Sequence, residues 1–161
     1  MYRKILLPLD GSDLAGRAVR HAVALAKMSS AEVVVLQVID SEAQILARTT
    51  PATIEPLPAG ATTAEVVRKA VAGQREAAQE QLDAAAKALR GEGVERVSSE
   101  VVEGSPGGAI TRAAERLGCD LVVMATHGRS GIKRAILGSV ADHVARHTPG
   151  IPVLLVHPQT A

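Results

Sequence analysis

The chain predicts an α/β fold, an open sheet of about five parallel strands with helices on both faces. Three observations carry this. Short apolar, β-branched runs recur along the chain, the longer ones do not alternate polar with apolar positions, and helical patterns separate them. Runs of that kind suit strands covered on both faces, and their alternation with helices implies right-handed crossovers.

The first strand is expected over Lys4–Leu9, followed by a helix that Ser12 can cap and that runs to Met28. Leu14, Ala18, Ala22, Leu25 and Ala26 share one face of it. Glu32–Ile39, with Val33, Val34, Val35 and Leu36 in succession, is the second strand. Thr62 and Glu65 have capping-box spacing and open a helix to Arg90. Its stripe is Val67, Val71, Ala78, Leu82, Ala85 and Leu89, with Gly73 as a weak point and Gly91 as the stop. Val94–Val102 is a third, partly alternating strand. Ser105 and Pro106 start a helix to Leu117. Leu121–Met124 is the fourth strand, Ser139 can cap the last helix, and Ile151–Val156 is the fifth strand. Asp40–Ala61 holds Pro51, Pro56, Pro58 and Gly60 without a clean period. It reads either as a mobile flap at the carboxyl end of the second strand or as an insertion without a role.

With 161 residues, 47% hydrophobic and 22% charged, the chain suits one globular domain over residues 1–161. A net charge of +1 supplies no field for nucleic acid or an anionic membrane. Tyr2 stands alone, with no Trp or Phe, so the chain has almost none of the aromatic side chains on which single-stranded nucleic-acid binders stack bases. Cys119 is the single cysteine, begins an apolar run, and reads as a small buried hydrophobe. The N-terminal apolar run is too short for a signal peptide and no segment reaches the length of a membrane span, so the expectation is a cytoplasmic protein.

Ligands of open parallel sheets bind beyond the carboxyl ends of the strands. Two loops there are unusual. Pro8-Leu9-Asp10-Gly11-Ser12 could serve as a turn and cap alone. Ala125–Ser139 follows a buried strand and ends at a helix start, with Gly128, Gly131 and Gly138 allowing close backbone approach. First-turn N–H groups lack intrahelical partners and the helix dipole favours negative charge, so this loop reads as an anion site, with Arg129 and a cation assisting. Lys133 and Arg134 read as solvated surface. The pattern matches no P-loop, no dinucleotide fingerprint and no nucleophile elbow. His127 is the one candidate base, with a structural role as its ordinary reading. His21, His143, His147 and His157 give no metal-ligand pattern.

From Tyr2 to His157 the sequence resembles the universal stress protein family. The resemblance is carried by Ile5-Leu6-Leu7-Pro8-Leu9-Asp10-Gly11-Ser12, Val34–Ile39, Glu103–Ile110, Asp120–Gly131, Leu137–Ala141 and Pro152–Val156. Members that bind ATP carry Gly-x2-Gly-x9-Gly-Ser/Thr, and here Ala125 stands at the first glycine, ahead of Gly128, Gly138 and Ser139. The resemblance implies a Rossmann-like sheet of order 3-2-1-4-5 with an adenine nucleotide, ATP above all, at the reversal between strands 1 and 4. It implies that Pro8, Leu9 and Asp10 line adenine and ribose, and that Val38 meets adenine through its backbone. Met124 and Ala125 would lie below the sugar, and Gly128, Arg129, Gly138, Ser139 and Val140 would hold the phosphates. Asp10 would also reach a nucleotide-bound magnesium ion. Alanine at 125 implies weakened or slightly shifted binding. The family also implies a homodimer through the edge strand at 151–156. The expected function is a nucleotide-binding stress-response or signalling module without efficient chemistry. Alternatives are a slow magnesium-dependent ATPase using Asp10 and His127, and a dimeric interaction protein that has lost nucleotide binding.

Overall fold

A computed structural model describes residues 1–48, 62–126 and 137–157, the side chains of 13–15 excepted. The chain runs β1 (Lys4–Pro8), α1 (Asp13–Ser29), β2 (Glu32–Ile39), α2 (Glu42–Arg48), α3 (Thr63–Gly91), β3 (Val97–Glu103), α4 (Pro106–Arg116), β4 (Leu121–Ala125), α5 (Ser139–His147) and β5 (Val153–Val156). The five strands form one sheet in the order β3-β2-β1-β4-β5. Every neighbouring pair is parallel. The Rossmann-like fold and its strand order are therefore those the sequence predicts.

Alternation along the strands divides the core in two. Ile5, Leu7, Val33, Val35, Leu121 and Val123 point to the face covered by α1 and α3, where Ala18, Ala22, Leu82 and Leu89 meet them. Leu6, Val34, Leu36, Val122 and Met124 point to the other face, where they meet Ile110, Ala113 and Ala114 of α4 and Ala141 and Val144 of α5. Small residues on α1 and α4 let those helices lie close to the sheet, and the large aliphatics fill the space between. Truncating one of the fully buried leucines to alanine in such a core costs about 2–5 kcal/mol.

Local chemistry fixes where helices begin and end. Thr62 and Glu65 form the predicted capping box: the Thr62 hydroxyl accepts the Glu65 N–H at 3.3 Å and the Glu65 carboxylate accepts the Thr62 N–H at 2.8 Å. At the other end of α3, the Val94 N–H bonds the Leu89 carbonyl and the Gly93 N–H bonds the Arg90 carbonyl. Gly93 has φ +90°, so the stop is Gly93 and not Gly91, which is the last helical residue. The same paired closure ends α4, where Cys119 and Gly118 bond Ala114 and Glu115. Ala31 bonds Ala26 at the end of α1.

Other boundaries differ from the sequence reading. The helix α3 passes through Gly73 without interruption, and its buried stripe takes Ala86 in place of Ala85. A rotation of 100° per residue moves the buried line over a helix this long, and two adjacent alanines are indistinguishable by pattern. The segment read without a period contains α2, whose seven residues include none that are buried. Residues 49–61 lie outside the described residues. The cap of α5 is Gly138; Ser139 is its first helical residue, and no side chain caps that end. Among the described residues no helix is long and apolar enough to cross a membrane.

Candidate functional site

The predicted site lies at the carboxyl ends of β1 and β4, and the backbone explains why a crevice opens there. Leu9 donates its N–H to the Leu36 carbonyl at 2.8 Å, so alternate residues from Leu9 backwards face β2. Lys4, Leu6 and Pro8 therefore face β4, and the Lys4 carbonyl accepts the Asp120 N–H. Pro8 has no N–H to give. Pairing of β1 with β4 accordingly stops at Ile5↔Leu121 and Leu6↔Val122, while β1 follows β2 to Pro8↔Leu36 and β4 follows β5 to Ala125↔Val156. Beyond Leu6 each strand keeps its outer partner, and the sheet parts between them.

The same alternation treats Val38. Leu36 faces β1, so Val38, two residues on, directs its N–H and carbonyl to the same side. There β1 has already turned away after Leu9. The half-buried Val38 side chain packs on the α4–α5 side of the core. Its backbone groups thus border the crevice from the β2 side, the place the family resemblance assigns to adenine.

Asp10 sits in the turn after β1. Its Oδ1 accepts the Ser12 N–H at 3.0 Å and the Ser12 hydroxyl at 2.6 Å. Gly11 between them has φ +76°, a conformation that glycine adopts without strain. Asp10 and Ser12 thus shape the entry to α1, with the Asp10 carboxylate accepting both groups of Ser12. Both residues make further interactions.

Across the crevice, Thr126 ties three elements together. It is fully buried, its N–H bonds the Val156 carbonyl at 3.0 Å, and its own carbonyl accepts the Gly138 N–H at 2.9 Å. This anchors the start of α5 to the end of β4. Sequence reading passed over Thr126; its signal was a hydroxyl residue between an apolar strand and a glycine loop. The bond also corrects an expectation, because the Gly138 N–H is committed within the protein. The first-turn donors of α5 begin instead with Ser139 and Val140, whose N–H groups have no intrahelical acceptor. Gly138 keeps a cap role, its carbonyl accepting the Asp142 N–H.

The structure therefore brings Pro8, Leu9, Asp10, Met124 and Ala125 to the ends of β1 and β4, Val38 to the β2 rim, and Gly138, Ser139 and Val140 to the α5 end of the β4 connection. Met124 is buried as part of the floor, Ala125 and Val140 are half-buried, and Ser139 is exposed. Gly128 and Arg129, with His127, Lys133 and Arg134, lie outside the described residues. Cys119 lies at the opposite end of β4. Burial pushes its thiol up to about 11, so it is protonated at neutral pH and makes a poor nucleophile. A cavity of about 170 Å³ also lies at that opposite end, among Ala26, Lys27, Ser30, Gly93, Val94 and Arg96. There Lys27 Nζ bonds the Glu92 carbonyl and the Arg96 guanidinium bonds the Ser30 carbonyl, each closing a helix end. Among the described residues no group of three or more metal-ligating side chains converges.

Comparison with known proteins agrees with this architecture. The universal stress protein family model matches residues 1–157. A universal stress protein of Methanocaldococcus jannaschii, MJ0531, is 35% identical over 97% of this chain and 82% of its own length. A second from that organism, MJ0577, is 31% identical over 97% of this chain and 95% of its own. The solved structure of MJ0577 superposes with a TM-score of 0.80, at 28% identity, covering 100% of this chain and 99% of that one. A universal stress protein solved in complex with cAMP superposes with a TM-score of 0.69 at 25% identity, covering 98% of this chain and 99% of that one.

Proposed function

We infer the function from one premise: the chain belongs to the universal stress protein family. We propose that it binds an adenine nucleotide, ATP first among them, in the crevice between β1 and β4 and serves as a stress-response or signalling module. The observation that carries this is the parting of the sheet at Pro8, with the open first turn of α5 on one side and the Val38 backbone on the other. Adenine can take two hydrogen bonds from a strand whose neighbour has left, in a chain with no Trp or Phe and a single Tyr. The phosphates would meet the N–H groups of Ser139 and Val140, favoured by the helix dipole. Gly128 and Arg129 complete the phosphate set on the family resemblance, and a magnesium ion held by the phosphates would lie within the reach of Asp10. A relative's complex with cAMP is consistent with an adenine ligand in this fold.

We read the site as a binding site. Asp10 Oδ1 already accepts two hydrogen bonds from Ser12, which fits a positioning carboxylate better than a general base. The module would act as a homodimer through β5. That strand is at the sheet edge with Leu154 36% exposed, and an apolar edge of this kind needs a cover. Light scattering should give twice the chain mass at micromolar concentration, and a monomer would contradict the dimer.

Calorimetry with ATP, ADP, AMP and cAMP tests the central reading. We expect saturable binding of at least one of them at one site per chain. Absence of heat with all four would favour an interaction protein that has lost nucleotide binding, with Ala125 as its mark. Phosphate release by the pure protein, abolished in an Asp10→Ala variant that still binds ATP, would turn the assignment to a slow ATPase.

A further inference from the structure

The far end of α5 carries a feature that nucleotide binding does not use. His143 and His147 lie one turn apart, and their rings stack with centroids 4.3 Å apart and planes inclined by 19°. The sequence reading found no metal-ligand pattern in these residues; on the ring geometry we propose that the two imidazoles form a binding site for a divalent late transition-metal cation, Cu²⁺, Ni²⁺ or Zn²⁺, with water completing the coordination.

Each ring is held, and each by a different contact. His147 Nδ1 lies 2.9 Å from the His143 carbonyl. With the proton on Nδ1 that contact is a hydrogen bond, and the lone pair is then on Nε2. Histidines that bind metals commonly use this arrangement, in which a backbone carbonyl fixes the tautomer and the direction of the free nitrogen. His143 is held by α4. A methyl group on Gly107 would stand 2.7 Å from His143 Cγ and Cδ2, so the ring rests on bare backbone and cannot swing further towards α4. The missing side chain at 107 makes room for the imidazole. Histidines four residues apart on one helix present their rings to the same side. Metal–nitrogen bonds of about 2 Å require both ligating nitrogens to converge on one ion lying in the plane of each ring, which the near-parallel stack does not offer, so binding requires the exposed His147 ring to turn out of the stack.

The electrostatics agree. The pair occupies the last two turns of α5, where the carbonyl end of the helix dipole favours a cation. The neighbouring positive charge, Arg146, is paired with Asp142 at 2.8 Å, which offsets its repulsion. Imidazole nitrogen selects Cu²⁺, Ni²⁺ and Zn²⁺ over the oxygen-seeking Mg²⁺ and Ca²⁺, so the site would not compete for the ion of a nucleotide complex.

The test is titration of the full-length chain, without nucleotide, with Cu²⁺, Ni²⁺ and Zn²⁺, each measured by calorimetry in the presence of excess Mg²⁺. One ion per chain is expected, bound most tightly for Cu²⁺, with affinity lowered at least tenfold in His147→Ala and in His143→Gln. Because His143 packs on Gly107, the exposed His147 is the primary variant and thermal melting accompanies both. A paramagnetic readout is independent of affinity: sub-stoichiometric Cu²⁺ should broaden the ring signals of His143 and His147 before those of His21 and His157. Affinity unchanged in the double variant, loss on changing only one of the two histidines, or no binding at millimolar metal would each overturn the proposal.

Discussion

The two ends of the sheet are built on opposite terms. At the amino ends of the strands, backbone groups are taken up by the protein itself. The Asp120 carboxylate accepts the N–H groups of Arg3 and Lys4 at 2.9–3.1 Å, Lys27 and Arg96 bond the last carbonyls of neighbouring turns, α3 and α4 close with paired backbone bonds, and α1 closes with the bond from Ala31 to Ala26. At the carboxyl ends, β1 and β4 separate at Pro8, Val38 points its backbone where no strand follows, and α5 begins without a side-chain cap. An end whose polar groups are satisfied contributes stability, whereas the first-turn N–H groups of Ser139 and Val140 have no intrahelical acceptor, which is the basis on which a ligand is proposed there. The cavity among Lys27, Ser30 and Arg96 illustrates the difference, since its cations are already committed to carbonyls.

The largest expected contrast concerns Cys119 at the closed end. With the thiol raised to about 11 by burial, the thiolate is scarce at pH 8. Alkylation by iodoacetamide should be slower than in the denatured chain by about two orders of magnitude or more. The sign follows from the shift: folding favours the protonated form, so stability is lost as pH rises through the interval between the ordinary thiol value and the raised one. Rapid labelling of the native protein would break the comparison by showing that this end opens readily.

A smaller, sharper effect is expected at the open end. Gly138 has φ −62° and ψ 148°, a conformation compatible with a following proline, and Ser139 is the first residue of α5. Ser139→Pro therefore removes one N–H without breaking the helix. Loss of a hydrogen bond to a charged phosphate corresponds to about 1.5–3 kcal/mol, so ATP affinity in calorimetry should fall by roughly tenfold or more while the melting temperature stays within a few degrees. An unchanged affinity would place the phosphates away from this turn.

What the sequence made legible was what side-chain identity determines. Thr62 and Glu65 announced their capping box, and the Val-rich apolar runs of β2 and β4 announced buried parallel strands, because those residue types carry the cause within themselves. The short helix α2 escaped notice because none of its seven residues is buried, so there was no stripe to read. Ala86 could not be separated from Ala85, and Gly138 could not be separated from Ser139 as a cap without the bond that Thr126 makes to Gly138. The crevice was least legible from local pattern. Pro8 and Val38 could be placed through the family resemblance, but their physical role depends on which side each residue faces and on where β1 leaves β2. Those are properties of the assembled sheet, and backbone direction leaves no mark in residue type.

Amide hydrogen exchange with and without saturating ATP compares the two ends in one experiment. The account predicts slowed exchange at Val38, Ser139 and Val140, with no change at Arg3, Lys4, Gly93 and Val94. Equal exchange at the first three amides under saturation, or protection gathered around Lys27–Arg96, would contradict it.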